Sequence, residues 1–425
     1  MPPRLPQELL NAVVDQAHDM DVLKACSLAG SVLRQPSQRI LLRALTLRPM
    51  SCSSSEKSEP NIDAAYALLA ESPHVASYAI ILTVQLPHTT ELPLTAEDVE
   101  RFRAVVTTLT NLRQLFLIAD MTNWIELSPP LLDYIVAFIS RRPLHSLYLE
   151  SVHRIPKTTF LQLAAAVPTL SVCGVQLNYD DPFPLPTRIS FETLVLSWFS
   201  KDIYELLARP ELISSVKAVR YLDLYRHYNY SDDILVAASS TVQRLRLSCC
   251  AYRNHEYYSN ATQPTAFPSL RSLIITFTYW SGAVPCLVAT LLQITATSEA
   301  SPVLKRITVV SCPRDAYFKH PDNEALLAPL DAALTAHPAA PRLVLRFAFR
   351  GDDVLRAAQY ADFVADTRAA LPRTHAAGRV TFRPGRGEEG PFQATWSGIQ
   401  PEATDTCRRR FRDFVDLTSS EQVSL

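Results

Sequence analysis

Between about residue 84 and residue 347, apolar positions return in one spacing. An aliphatic residue is followed three places on by a second, and two places further by a third. The clearest copies are Leu112-x-x-Leu115-x-Leu117, Leu144-x-x-Leu147-x-Leu149, Val219-x-x-Leu222-x-Leu224, Val242-x-x-Leu245-x-Leu247, Leu270-x-x-Leu273-x-Ile275 and Leu304-x-x-Ile307-x-Val309. Looser copies are Ile81-x-x-Val84-x-Leu86, Leu170-x-x-Cys173-x-Val175, Phe191-x-x-Leu194-x-Leu196 and Leu343-x-Leu345-x-Phe347. The last three positions alternate as in a half-buried strand, and a stretch of helical period follows most copies. Such a strand-plus-helix unit cannot bury its apolar face alone and must stack on its neighbours. The expected fold is therefore an α/β, leucine-rich-repeat-like solenoid with a curved parallel sheet and outer helices. Units such as Ile307 to Leu345 outrun the common repeat length of ~20–29 residues, which favours full helices on the convex side.

Punctuation supports the register. Pro143, Pro168, Pro268 and Pro302 each stand shortly before a strand phrase. Proline stops an incoming helix and costs no ladder bond at a strand's first residue. Thr95-Ala96-Glu97-Asp98 reads as a variant capping box, and Ser128-Pro129-Pro130 and Ser231-Asp232-Asp233 as similar helix starts. Before the repeats, residues 1–48 carry three short amphipathic stretches, near Pro6 to Ala17, Val22 to Leu28 and Pro36 to Ala44, with Leu45-Thr46-Leu47 starting a strand. Residues 49–61, rich in serine and charge, read as a linker. The solenoid is expected over 62–371, with a long helix from Asp352 to Leu371, and a C-terminal cap and tail over 372–425.

The chain has 425 residues, 48% of them apolar, and a formal charge of −1. That balance gives no pull toward nucleic acid or an anionic membrane surface. No apolar run reaches the ~20 residues a membrane helix needs, and the start lacks a signal-peptide core. The eight cysteines are scattered without a Cys-x-x-Cys pair, as expected of a reduced protein of the cytoplasm or nucleus; only the neighbours Cys249-Cys250 invite a redox reading. Two matches to the glycosylation pattern, at Asn229 and Asn260, read as chance. Nine glycines form no phosphate loop, and no nucleophile elbow or zinc motif is present. Carboxylate pairs such as Asp232-Asp233 suit helix starts, and His145 reads as a solvated side chain. We expect no enzyme, no metal and no cofactor.

At Leu5-Pro6-Gln7-Glu8-Leu9-Leu10, followed by Val13, Leu23-Lys24-Ala25-Cys26-Ser27-Leu28 and Arg39-Ile40-Leu41-Leu42-Arg43-Ala44-Leu45-Thr46-Leu47, the chain resembles an F-box. It is most similar to the short F-box-like form that opens many fungal proteins with degenerate leucine-rich repeats. The resemblance covers about residues 4–48. It implies a partner, a Skp-family adaptor that joins a cullin–RING ubiquitin ligase. Carried over by position, Leu5, Pro6, Leu9, Val13, Leu23, Cys26 and Leu28 lie on or beneath the adaptor-facing surface. The sequence departs from the family at Ser31-Val32-Leu33, where an aromatic preceded by arginine is usual, and at Gly30, which interrupts that segment.

A second surface follows from strand parity. When both aliphatic residues of Leu-x-Leu face the core, the residue between them faces the other side of the sheet. Those positions are Phe116, Tyr148, Val195, Asp223, Arg246, Ile274 and Thr308, flanked by Tyr221, Tyr225, Arg244, Ser272 and Arg306. Aromatics and arginine are the types enriched at protein interaction hot spots. Phe116, Tyr148, Tyr221, Asp223, Tyr225, Arg244, Arg246 and Arg306 are the target-binding candidates, with Trp198 and Trp280 at their rim. The expected function is a non-enzymatic substrate receptor of a Skp–cullin–F-box type ligase that binds an unknown protein target. The alternative is a repeat scaffold or ligand-binding protein that joins no ligase.

Overall fold

The computed structural model describes residues 6–17, 19–48, 62–86, 95–178, 189–197, 200–225, 230–250, 266–278, 291–292, 294–295, 299–312, 321–347 and 353–384. Contacts divide the chain into two units, Met1–Thr187 and Arg188–Leu425.

The first unit opens with helices α1 (Gln7–Asp15), α2 (Met20–Ala29) and α3 (Ser31–Leu41). The Asp19 carboxylate caps α2, accepting the Asp21 N–H at 2.7 Å. Gly30, extended at φ 178°, joins α2 to α3 rather than interrupting one helix. The third helix starts at Ser31, so Pro36 lies inside it. Proline has no N–H to give the carbonyl four residues back, which orphans Val32 O. The Gln7 side chain donates to that carbonyl at 3.0 Å, tying α1 to α3.

The strand expected at Leu45 forms as β1 (Ala44–Leu47), but it does not belong to a separate helical unit. It pairs in parallel with β2 (Ile81–Gln85), Leu45 opposite Leu82 and Leu47 opposite Val84. The helical part thus ends near Arg43, and the sheet starts before the serine-rich stretch at 49–61, not after it. Helix α4 (Ile62–Glu71) precedes β2, and α5 (Ala96–Thr108) follows it. Then come β3 (Gln114–Asn123), α6 (Pro129–Arg141), β4 (Ser146–His153), β5 (Ile155–Pro156), α7 (Lys157–Ala165), β6 (Thr169–Cys173) and β7 (Leu177–Asn178). The sheet order is β1-β2-β3-β4-β6, all parallel, with β5 and β7 forming a small second pair. The capping box opens α5 as expected: Asp98 N–H donates to Thr95 Oγ1 at 3.1 Å, and Thr95 N–H to Asp98 Oδ2 at 3.0 Å. Ser128 stands at the N-cap of α6 without a side-chain capping bond.

The second unit contains β8 (Thr193–Leu196), α8 (Lys201–Leu207), β9 (Tyr221–Tyr225), α9 (Tyr230–Ala238), β10 (Arg244–Cys250), β11 (Ser272–Thr278) and β12 (Arg306–Cys312). It continues with α10 (Pro321–Ala336), β13 (Arg342–Phe347), α11 (Asp353–Ala370), α12 (Pro372–Ala376) and β14 (Val380–Pro384). Strands β8 to β14 pair in parallel in chain order. The segment beyond 371 was expected to cap the array, yet β14 adds one more strand to the sheet. Gly378, at φ 67°, ends α12 in a Schellman turn: its N–H meets His375 O at 2.8 Å and Arg379 N–H meets Thr374 O at 3.1 Å.

All three aliphatic positions of the six clearest phrases are buried, none more than 5% exposed. In the first unit the inward pairs Leu82/Val84 and Leu115/Leu117 meet Phe102 and Val106 of α5 and Ile135 and Phe138 of α6 around a gap of about 10 Å³, no larger than one water. Three phrases need their register corrected: Val84 stands opposite Leu117, not Leu115, and Ile307 opposite Leu343, not Leu345, shifts of two that keep the inward face, while the third shift changes it. Leu147 stands opposite Leu170, not Cys173, so the inward pair of β6 is Leu170 and Val172. Cys173 pairs with Glu150 on the other face. Parallel strands of one aliphatic phrase, stacked in sequence order with helices between them, make this chain an α/β leucine-rich-repeat-like solenoid preceded by a small three-helix segment.

Candidate interaction surfaces

The N-terminal helices expose apolar side chains to solvent. Of the eleven large apolar side chains exposed among the described residues, six lie in this short stretch: Leu9, Val13, Met20, Val22, Leu28 and Val32. Leu28 is 83% exposed and Val13 67%. Val14 and Leu23 point the other way and are fully buried, forming the small core of the three helices. The candidates carried over from the resemblance therefore sort cleanly. Pro6, Leu9, Val13 and Leu28 are exposed, Cys26 is half-buried, and Leu23 lies beneath the surface. Leu5 lies outside the described residues. Met20, Val22 and Val32 belong to the same exposed set and were not anticipated. Exposed apolar residues are ordinary when scattered singly; gathered on one short segment they mark an interaction surface.

The sheet offers a second surface, and the two units differ on it. In the first unit the expected outward row exists, Thr83 beside Phe116, Phe116 beside Tyr148, Tyr148 beside Ser171. It is buried: Phe116 is 2% exposed and Tyr148 1%, with ring centroids 5.3 Å apart. Ile118, Glu150 and Cys173 on the same face are buried as well. Phe116 and Tyr148 are thus core residues here, not part of an open binding face. Their strands carry unbroken apolar runs, Leu115-Phe116-Leu117-Ile118-Ala119 and Leu147-Tyr148-Leu149, the signature of a sheet covered on both sides.

In β9 and β10 of the second unit the alternation is clean, whereas Thr276, Thr308, Val310 and Val344, on the same face of β11 to β13, are buried. β9 reads half-buried, buried, half-buried, buried, half-buried from Tyr221 to Tyr225. Asp223 pairs in register with Arg246, Arg246 with Ile274, and Ile274 with Thr308. The flanking row is Tyr221, Arg244, Ser272, Arg306 and Arg342. Arg246 Nε approaches Asp223 Oδ2 at 3.8 Å. Burial, and then the Asp223 charge, push the Tyr221 hydroxyl above its usual pKa, while Arg246 and Arg244 oppose the shift. The Tyr204 hydroxyl of α8, fully buried, donates to Leu196 O at 2.6 Å and accepts from Tyr225 N–H at 2.9 Å. That bridge fixes the ends of β8 and β9 and so places Tyr225. Tyr221, Asp223, Tyr225, Arg244, Arg246 and Arg306 therefore do share one face. Arg342, Arg346 and Arg383 join them and were missed. Arg342-Leu343-Val344-Leu345-Arg346 shows them by alternation, once its aliphatic residues are set inward. Trp198, Trp280 and the basic run at Arg408 to Arg410 lie outside the described residues, as do the side chains of Cys249 and Cys250.

No family model matches this chain, and no curated protein does. Among solved structures, the crystal structure of the Rad7 and Elc1 complex in yeast is similar at 14% identity and a TM-score of 0.30, over 72% of this chain and 87% of that one. A superposition that loose carries no weight for fold or function; the fold rests on the strand register given above.

Proposed function

We propose that the chain is a non-enzymatic substrate receptor of a cullin–RING ubiquitin ligase, working in the cytoplasm or nucleus. The N-terminal helices dock on a Skp-family adaptor, and the outward sheet face of the second unit holds a protein target. The observation that carries this reading is the apolar surface on α1, α2 and α3, on the segment that resembles an F-box. Burying an exposed Leu or Val at an interface is favourable by about 1.5–3 kcal/mol each, so a handful of such residues suffices for a stable contact. Receptor function needs no titratable cluster, only two surfaces that bind independently, and the two surfaces lie in different units.

The test is capture of the purified chain by a Skp-type adaptor. Leu9→Asp combined with Val13→Asp changes two exposed side chains, so the fold should persist while adaptor binding is lost. Adaptor binding that survives this change, or its absence in the folded wild type, would sink the ligase reading. In the second case the chain would be a repeat scaffold that uses its sheet face alone.

A further inference from the structure

The outward face of the second unit is one-sidedly charged. Across β9 to β14 its outward positions carry Arg244, Arg246, Arg306, Arg342, Arg346 and Arg383, against one carboxylate, Asp223. Arg306, Arg342 and Arg383 are exposed. The rim at the strand N-termini adds the exposed Arg220, Arg271 and Lys305. All this stands on a chain whose formal charge is −1. Arg306 faces Arg342 in register, and Arg346 faces Arg383. Like charges directly opposite on neighbouring strands destabilise a sheet. Arg306 and Arg342 thus repel across neighbouring strands, and an anionic ligand would offset that repulsion.

Building on the target-capture half of the proposed function, we propose that this face binds an acidic, extended peptide segment of the target. Arginine presents a planar fork that grips a carboxylate through two parallel hydrogen bonds, which a lysine-rich patch does not do. From β10 to β14 the face spans about 19 Å at the ~4.8 Å strand spacing, the length of roughly six extended residues. Tyr221, Tyr225 and Ile274 lie among the cations and give apolar seats for side chains between the acids. A nucleic acid is the less favoured anion. Its affinity comes from a broad positive field, and this molecule as a whole is neutral.

Fluorescence anisotropy tests this on the full chain with a labelled glutamate–alanine peptide of roughly twelve residues, about twice the span of the face. The expected result is saturable, salt-sensitive binding that weakens at least ~10-fold in Arg306→Glu with Arg342→Glu, less in the Arg→Gln pair, and not at all in Lys217→Glu, an exposed position before β9. Equal binding of the glutamine analogue, equal binding by the double variant, no saturation by ~1 mM, or an oligonucleotide held more tightly through the same arginines would each overturn it. Adaptor capture on the same preparation separates the two readings. If the adaptor binds and the peptide does not, only the acidic-target inference falls. If the peptide binds and the adaptor does not, the ligase reading falls and the arginine face stands.

Discussion

Asp331 offers the sharpest quantitative test of how the end of the sheet is held. It sits on α10 with 3% of its surface exposed, yet it caps a different helix. Its carboxylate accepts Arg373 N–H at 3.0 Å, Thr374 N–H at 2.8 Å and Thr374 Oγ1 at 2.6 Å. Arg373 and Thr374 stand in the first turn of α12, whose amides have no partner within their own helix. Helix α12 leads through the Gly378 turn into β14, which carries Arg383. Asp331→Ala strands the two amides and the hydroxyl together. A hydrogen bond to a charged group is worth about 1.5–3 kcal/mol, but Arg373 is exposed and its N–H can turn to water, so the net local loss should be about 3 kcal/mol. That is a fall of roughly 150-fold in the protection of amides in 372–384 against hydrogen exchange. Asp331→Asn keeps one acceptor oxygen and should fall between. Exchange by mass spectrometry reads both, peptide by peptide, without requiring that the whole chain unfold in one step. A loss of less than ~10-fold in Asp331→Ala would mean that α12 is held by packing, and the capping argument would be wrong.

Two further outcomes follow from side chains described above. Leu28→Ala removes about three carbons from a side chain 83% exposed; at ~0.8 kcal/mol per carbon group buried on docking, adaptor affinity should fall about 30-fold, read by calorimetry, with the thermal midpoint unchanged. His337 is buried, its Nδ1 accepting Ala339 N–H at 3.2 Å and its Nε2 lying 3.3 Å from Ser301 Oγ. Burial, then the Arg379 charge, hold its pKa below the ordinary 6.5. The unfolded chain therefore takes up this proton first as pH falls. The stability His337 contributes is complete above about 6.5 and is lost as pH drops through the lower folded value. His337→Asn, which keeps an acceptor near Nδ1 and cannot titrate, should flatten that acid limb in a series of thermal melts; an unchanged limb refutes the assignment.

Most of the fold was legible in the sequence because one short phrase does two jobs. Its aliphatic residues set strand parity, and the prolines before it set strand starts, so Leu115, Leu147, Leu222, Leu245, Leu273 and Ile307 fell into register without further information. The β6 phrase failed because Leu170-x-x-Cys173-x-Val175 fits the template with small or branched residues at every place, and the alternation Leu170-Ser171-Val172 is equally good. Only neighbouring strands decide between the two. Phe116 and Tyr148 show a different limit. Parity says which residues share a face, not whether that face is covered. The unbroken apolar runs around them carried the answer, while the charged alternation at Asp223, Arg244 and Arg246 told the opposite story in β9 and β10. Strand β14 was overlooked because Val380-Thr381-Phe382 has no leucine phrase; its place comes from the turn at Gly378 and the in-register edge of β13.

The strand β1 changes what the N-terminal helices can do for a bound partner. Because Leu47 is locked against Val84, the chain before residue 49 and the first-unit chain after residue 61 belong to one assembled body. A protein gripping α1 to α3 would take hold of the sheet's first rung directly, its bearing set by hydrogen bonds and not by a leash. Lengthening 49–61 with glycine and serine should accordingly leave the reach and angle of whatever is carried on those helices as they were.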